Sequence, residues 1–309
     1  MKNRFMTFIF IIALVSITLY KLDDISNLLA NYFNNTETTS VEEKNQYAKE
    51  ENYEYVQISD SYTPYNYQEL LNVFYTILDA GYDTYTFYCP AEYSDCISDV
   101  ENISDTANVS ILTNLSSYVS PYNNFSSLKV KYDTAGEVTV DVTHLYSEED
   151  IIKISNKIDT LWKELVTQGM SNEDIIYAFH DYIINNSKYD ENYDKELAQG
   201  ITPTYHSASA IGPLFEGYAI CSGYTDTMAL VLDKLGIKNF KVTSDTHVWN
   251  ALYINGEWLN LDLTWDDPVS EDRTQNNLLH KFFLIDTNTL ESFQISDHNY
   301  NKSVYLELN

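Results

Sequence analysis

The sequence predicts an α+β fold, and three observations lead to this prediction. Apolar residues at helical spacing follow Cys221. Farther along, two alternating segments flank Asn255-Gly256, a strong signal for a two-residue hairpin turn. An upstream region, 61–145, combines helical and strand-like patterns. Helices and antiparallel strands in separate stretches are typical of the α+β class.

Length and charge limit what the chain can do. It has 309 residues, enough for one large domain or two modest ones. Its formal net charge of −28 disfavours nucleic acid and anionic membrane surfaces as partners, because a negative surface is repelled by both. The 27 tyrosines and only 9 glycines indicate a packed globular protein rather than a disordered one.

The N-terminus has the features of an export signal. Lys2 and Arg4 precede an almost wholly apolar run, and no convincing cleavage site follows it. Residues 1–22 are therefore predicted to be a signal-anchor, with a cleaved signal peptide as the alternative. The positive residues before the run predict that the rest of the chain lies outside the cytoplasm, anchored at the cell membrane or secreted. The polar stretch 23–60 is predicted to be a linker.

Region 61–145 is predicted to form a small α+β module. Its expected elements are a helix at 67–80, a strand at 85–88, a helix at 109–119 and a hairpin with strands at 128–132 and 138–142. The module contains Cys89 and Cys96, which could pair in an oxidising compartment and leave Cys221 as the unpaired thiol. The alternative is that all three cysteines are reduced.

Two helices, at 148–165 and 171–185, are expected to open the second part of the chain. The second helix carries His180-Asp181, a weaker alternative catalytic pair. Asp190 begins a stretch with the spacing of a calcium loop, but Lys195 occupies the position that requires glycine, so no calcium is expected.

No metal or other cofactor is predicted. A zinc site is not expected, because no second Cys or His pair stands at ligand spacing. Near the C-terminus, a strand is expected at 281–285. His298 is expected to be a structural histidine, and a functional role is the alternative.

The strongest candidate for a reactive residue is Cys221. A cysteine at a helix N-terminus lies beside unpaired N–H groups and the positive end of the helix dipole, and both favour the reactive thiolate. The alternative is a buried cysteine that packs as a small hydrophobe.

The predicted hairpin supplies partners for this cysteine. Its strands are expected at 246–254 and 257–264, and pairing Ile254 with Glu257 gathers the leucines on a single core face. The opposite face then carries His247 and Asp262 as diagonal neighbours, roughly 7–8 Å apart between backbones. A cysteine nucleophile, a histidine base and a carboxylate that orients the histidine form the logic of an acyl-transfer triad.

Several motifs resemble the transglutaminase-like superfamily of bacterial proteins. These are GYAICSGY (217–224), HVWN (247–250) and WLNLDLTWDDP (258–268). The resemblance extends upstream through FHDYIINNSKYD (179–190) and downstream to KFFLIDTNTLESFQISDH (281–298). The resemblance implies a papain-like core, in which the helix bearing the nucleophile packs on an antiparallel sheet. It also implies Cys221 as nucleophile, His247 as base and Asp262 as the orienting carboxylate. Residues 146–309 are then the predicted transglutaminase-like catalytic domain.

The expected function is that of an extracytoplasmic cysteine enzyme acting on amide or peptide bonds through a thioester. The same residues serve a protease or amidase and a protein-crosslinking transglutaminase. The expected partner is a protein or peptide substrate, such as a cell-surface protein. The alternative function is a non-catalytic cell-surface binding or scaffolding module that retains the fold.

Overall fold

The computed structural model describes residues 43–107, 109–267 and 278–309. The predicted N-terminal segment 1–22, and the predicted linker as far as residue 42, lie outside the described residues. Within the described ranges, no helix is both long and apolar enough to cross a membrane. From Lys44 onward the described residues belong to one compact unit.

The described residues contain both helices and strands throughout the unit. The α-helices are α1 (Tyr67–Ala80), α2 (Cys96–Ile103), α3 (Ser110–Ser116), α4 (Glu148–Leu165), α5 (Asn172–Asn186), α6 (Tyr193–Ala198), α7 (Cys221–Leu235), α8 (Leu263–Asp266) and α9 (Thr287–Ser292). The strands are β1 (Thr84–Tyr88), β2 (Phe125–Tyr132), β3 (Glu137–His144), β4 (Lys188–Tyr189), β5 (Tyr218–Ala219), β6 (Asn239–Thr243), β7 (Val248–Ile254) and β8 (Glu257–Leu261). This mixture confirms the predicted α+β class.

An antiparallel sheet of β6, β7 and β8, in that order, carries the predicted hairpin. Ile254 pairs with Glu257 and Leu252 with Leu259, so the predicted register is confirmed. Asn255 and Gly256 make the turn with φ of 55° and 92°. These are the left-handed values that a two-residue hairpin of this type requires.

The far ends of the hairpin differ from the prediction. The strands were expected to reach residues 246 and 264, but β7 begins at Val248 and β8 ends at Leu261. The backbone N–H of Asp262 donates to the carbonyl of Phe282, 3.1 Å away, instead of continuing the ladder. The Asp262 side chain then caps α8, so the chain turns into a helix where a strand was predicted.

Both faces of this hairpin are covered. Leu252 and Leu261 pack in one hydrophobic cluster together with α4, α5 and α7. On the other face, Trp249 and Ala251 are completely buried in a second cluster with the upstream module and the C-terminal residues. The sheet is therefore an inner layer, and the polar residues at its end lie in a largely buried setting.

The module at 61–145 forms as predicted in its main elements. Helix α1 ends at Gly81, whose φ of 68° suits a left-handed helix end. Strands β1, β3 and β2 make an antiparallel sheet in that order, with β2 and β3 as the expected hairpin. The helix predicted at 109–119 is shorter, since α3 spans Ser110–Ser116.

The end of the predicted linker packs against this module. Tyr53 is only 3% exposed and Val56 is completely buried. The Tyr53 hydroxyl donates to the carbonyl of Asn239, 2.9 Å away, at the start of β6. Residues 44–60 therefore lie in the compact unit, while the proposed domain boundaries at 61 and 146 remain predictions.

Helices α4 and α5 begin with capping boxes. Ser147 and Ser171 each accept a hydrogen bond from the third helical residue, whose carboxylate accepts one in return. The predicted strand at 281–285 is only a bridge, in which Ile285 pairs with Asn260 of β8.

Candidate active site

Cys221 occupies the first position of α7 and is the chain's free cysteine. Ile220, before it, is extended, and no side chain caps the helix. The first-turn N–H groups and the dipole therefore point toward whatever lies beside the thiol. Cys221 as a residue is partly exposed.

The start of α7 is held against the segment that precedes it. The Ile220 N–H donates to the carbonyl of Ser207, 2.9 Å away. A Cβ at Gly223 would lie 2.2 Å from the same carbonyl oxygen, so only glycine allows this approach. The Ser207 hydroxyl in turn donates to Asp190 over 2.6 Å. Asp190 thus fixes the loop beside the nucleophile helix.

His247 lies at the entrance to β7 rather than within it. Its N–H donates to the Ser244 hydroxyl at 3.0 Å, and its carbonyl accepts from the Ser244 N–H at 2.9 Å. This tight turn sets the direction of the side chain. The imidazole is buried and stacks on Trp249, with ring centres 5.8 Å apart and planes 17° from parallel.

Asp262 is the N-cap of α8 and contacts His247 directly. Its Oδ2 lies 2.7 Å from Nε2 of His247. Its Oδ1 accepts hydrogen bonds from the N–H groups of Thr264 and Trp265, at 2.9 and 3.1 Å. One oxygen therefore anchors the carboxylate to the backbone, and the other orients the histidine.

The pKa values of this pair move in opposite directions. Burial lowers the pKa of His247, but the Asp262 charge and hydrogen bond, together with Cys221, outweigh it and raise the pKa to about 10. Burial raises the pKa of Asp262, yet His247 and His298 bring it down to about 2. The pair is consequently an ion pair at neutral pH.

The three predicted residues come together in space. The pKa of His247 is raised partly by a hydrogen bond with the Cys221 side chain and by its charge. Because Asp262 engages Nε2 of His247, Nδ1 is the nitrogen left for the thiol. The order thiol, imidazole, carboxylate is the one that the sequence predicts, although Asp262 reaches its place through a helix cap.

His298 belongs to the same cluster, which sequence reasoning missed. Its Nε2 lies 2.8 Å from the Asp262 Oδ2 that also contacts His247. Its Nδ1 is buried, and no described residue offers it a hydrogen-bond partner. This fits a ring whose Nε2–H donates to Asp262. A separation of 36 residues from Asp262 left no local signal for this contact.

Tyr189 lies near the thiol and was likewise not identified from the sequence. Strand β4 pairs with β5, which places Tyr189 opposite Ala219, two residues before Cys221. Burial, followed by the charge of Cys221, raises the pKa of Tyr189 to about 12. The hydroxyl is therefore protonated at neutral pH and can donate a hydrogen bond beside the sulfur.

His180-Asp181, the weaker catalytic candidate, lies in another cluster. His180 is completely buried, and its two ring nitrogens lie 3.1 Å from Asp181 and 3.2 Å from Asp266. Nε2 of His280 is 2.7 Å from the same Asp181 oxygen. The cluster contains none of the three triad residues.

Within the described ranges, two groups of side chains have metal-ligand atoms close together. One is His247, Asp262 and His298, and the other is His180, Asp181 and His280. In the first group both histidines contact the one carboxylate, and Nδ1 of His247 faces the thiol, as hydrogen bonding requires. In the second group, His180 also contacts the buried carboxylate of Asp266, through its other ring nitrogen.

Comparison with known proteins agrees with this geometry. Residues 159–263, about a third of the chain, match the family model of the Transglutaminase-like superfamily. The matched range contains Cys221, His247 and Asp262. Residues 159–263 of the chain thus carry a transglutaminase-like core.

Two solved structures show a distant likeness. A TGase is 16% identical with a TM-score of 0.36, and the match covers 52% of this chain and 49% of that one. A candidate cysteine protease from Cytophaga hutchinsonii is 15% identical with a TM-score of 0.27, over 45% of this chain and 61% of that one. This chain thus spans about half the length of the TGase. No curated protein matches the chain.

Proposed function

We propose that this chain is an extracytoplasmic cysteine enzyme that acts on amide or peptide bonds of proteins. One observation carries the proposal: His247 is held at 2.7 Å by the buried carboxylate of Asp262 and is also hydrogen-bonded to Cys221. A nucleophile, a base and a group that orients the base are the parts that acyl transfer requires.

In the first half of the reaction, Cys221 attacks as a thiolate. A bond forms between its sulfur and the carbonyl carbon, and the carbonyl electron pair moves onto oxygen. The C–N bond then breaks as the His247 imidazolium gives its proton to the departing amine. The product on the enzyme is a thioester, and Asp262 keeps the imidazole in the correct tautomer.

The negative oxygen needs donors that are already in place. The backbone N–H of Cys221, at the N-terminus of α7, supplies one. We assign the second to the protonated Tyr189 hydroxyl, because β4 holds this residue beside the start of α7. Both donors come from elements packed around the Ser207 loop.

The second half of the reaction depends on the acceptor. Neutral His247 takes a proton from the acceptor as it attacks the thioester, and the C–S bond breaks to return the thiolate. Water as acceptor makes the enzyme a protease or amidase, and a lysine amine makes it a crosslinking transglutaminase. The same three residues serve both reactions, so access of water decides between them.

An extracytoplasmic location, at the cell membrane or secreted, is part of this proposal. It is supported by the disulfide between Cys89 and Cys96, since disulfides persist mainly in oxidising compartments. The chain's third cysteine, Cys221, stays free, as a nucleophile must. The positively charged and apolar start of the sequence supports an anchor or export signal at 1–22.

The competing proposal is a surface module that keeps the fold without turnover. The contacts around Asp262 favour the enzyme, because a binding module has no need for a buried ion pair beside a partly exposed cysteine. A module of that kind would react with thiol reagents as an ordinary cysteine does, and with no dependence on His247.

The test is mass spectrometry of glutamine-containing model peptides incubated with the full chain, with and without a primary amine. Loss of ammonia alone indicates hydrolysis, and incorporation of the amine indicates transamidation. The matched control is Cys221→Ala, which removes only the sulfur. Turnover that survives in Cys221→Ala at the wild-type rate would overturn the assignment of the nucleophile.

A further inference from the structure

We propose that His180, Asp181 and His280 form a binding site for a divalent transition-metal ion of the zinc type. His180 and Asp181 lie on α5, and His280 follows β8 by nearly twenty residues. The site is independent of the proposed enzymatic function, since it contains none of Cys221, His247 and Asp262.

The spacing of the donor atoms fits such an ion. The nearest Asp181 oxygen lies 3.1 Å from Nδ1 of His180 and 2.7 Å from Nε2 of His280, and all three atoms lie within 4.8 Å of one another. Donors about 2.1 Å from a tetrahedral ion stand roughly 3.4 Å apart. The two Asp181 distances are shorter than this by about 0.3 and 0.7 Å, so shifts of less than about 1 Å would bring them to the spacing around a tetrahedral ion.

The buried carboxylate of Asp266 contacts His180 on the side away from Asp181. Nε2 of His180 lies 3.2 Å from Asp266, and both side chains are completely buried. If Nε2–H donates to Asp266, the Nδ1 lone pair faces the Asp181 carboxylate, and a metal ion between these two acceptors would bind both. A carboxylate that orients a histidine from behind in this way is typical of metal ligands.

The remaining contacts hold the other parts of the site in place. Asp266 accepts a second hydrogen bond, from the Phe282 N–H at 3.0 Å. The His280 ring stacks on Tyr177, with centres 4.4 Å apart and planes 8° from parallel, and an edge of Phe283 lies against it. The ligands are thus oriented before any ion arrives.

The site is open on one side. The side chains of Asp181 and His280 are 28% and 30% exposed, whereas His180 is buried. Three protein ligands with a free position are characteristic of zinc sites that also hold water or another ligand. Two imidazoles and a carboxylate favour zinc and its neighbours over calcium or magnesium, which prefer oxygen.

The experiment measures binding of Zn²⁺ by equilibrium dialysis and of Co²⁺ by its visible absorption, with the full chain. All proteins carry Cys221→Ala, so that the thiolate is not a ligand. The test variants are His280→Gln and Asp181→Asn, both at partly exposed positions where substitution leaves the core intact. The control is His206→Gln, which alters an exposed histidine paired with Glu216 at 2.8 Å.

We expect one ion per chain with tetrahedral-type Co²⁺ absorption, and an affinity at least ~10-fold weaker in both test variants than in the control. The proposal is overturned if the parent binds no ion, or if the test variants bind as tightly as the control. It is also overturned if binding is lost in His298→Gln but kept in His280→Gln, because the ion would then occupy the triad cluster.

Discussion

The Asp262 carboxylate accepts four hydrogen bonds from three separate parts of the chain. His247 and His298 share one oxygen, and the backbone N–H groups at the start of α8 share the other. The two histidines keep this buried carboxylate ionised, which explains why its pKa falls to about 2 despite burial. The base of the proposed triad is therefore oriented by a carboxylate that has no freedom to turn away.

His298 is predicted to act as a positioning residue through Asp262. His298→Phe keeps an aromatic ring in the pocket but removes the donor, so the pKa of Asp262 should rise. We expect kcat/KM to fall ~10-fold, since a hydrogen bond to a charged group is worth about 1.5–3 kcal/mol. The acid limb of the pH–rate profile should move to higher pH.

The conservative change His298→Gln, which can still donate, should restore part of the rate. If His298→Phe lowers the melting temperature but leaves the acid limb of the pH–rate profile unchanged, His298 has only a structural role.

Tyr189 is predicted to contribute through its hydroxyl. Tyr189→Phe should lower kcat ~10²-fold with little change in KM, because the lost donor acts on the developing oxyanion. The matched control is Tyr193→Phe, a nearby tyrosine in α6 whose pKa is raised by burial and by acidic neighbours rather than by Cys221. Equal kcat values for the two variants would exclude the assigned role.

At the scale of elements, the approach of α7 to the Ser207 loop is the feature most open to test. Gly223→Ala would place a methyl group 2.2 Å from the Ser207 carbonyl oxygen, so the start of α7 must move. We expect activity to fall more than 10-fold, because displacement of about 1 Å at a reacting group can cost 10²-fold. We would measure both kcat/KM and the midpoint of unfolding, for Gly223→Ala and for the wild-type chain.

The matched control is Ser222→Ala, a substitution at the neighbouring position that adds no atom to the side chain. Wild-type activity in Gly223→Ala would mean that the loop does not fix the nucleophile.

The hairpin shows which parts of the site the sequence can predict. Asn255-Gly256 and the alternating leucines are local signals, and they gave the right register. Helix α1 and its end at Gly81 were predicted for the same reason. The cap at Asp262 was not, because the partner that stops β8, the carbonyl of Phe282, lies 20 residues farther along and leaves no mark on the local pattern.

Long-range pairs account for the contacts that the sequence did not show. His180 and Asp266 are 86 residues apart, and Asp181 and His280 are 99 apart, so spacing rules for metal ligands could not connect them. His298 was assigned a structural role for the same reason. In each case the residue types were visible in the sequence, but their proximity depends on the packing of whole elements.

At the scale of the whole molecule, the central sheet is covered on both faces. The upstream module and residues 44–60 lie on the Trp249 face, and α4, α5 and α7 lie on the Leu252 face. The sequence predicted the leucine face as a core face, and it did not show that the face carrying Trp249, Asn260 and Asp262 is covered as well. Burial of Asn260 is possible because its Oδ1 accepts from the Trp249 indole N–H at 2.9 Å.

The disulfide in the module provides a prediction at this scale. The oxidised chain should contain one reactive thiol in denaturant, and three after reduction, when titrated with a thiol reagent. Replacing Cys89 and Cys96 by alanine should lower the free energy of unfolding by about 2 kcal/mol, because a short loop loses its constraint. Activity should be retained, since neither residue belongs to the triad. Three reactive thiols before reduction would contradict the disulfide.

The central claim is that Cys221 is activated by His247 within a triad. The most direct test is the rate at which iodoacetamide alkylates Cys221 as a function of pH, in the wild-type chain and in His247→Gln. It needs no knowledge of the substrate. We predict that at pH 6 the thiol of the wild-type chain reacts at least ~10-fold faster than the thiol of His247→Gln. The ratio of the two rates should fall above about pH 8.5, where an ordinary cysteine is ionised. Coincident profiles for the two proteins would contradict the triad.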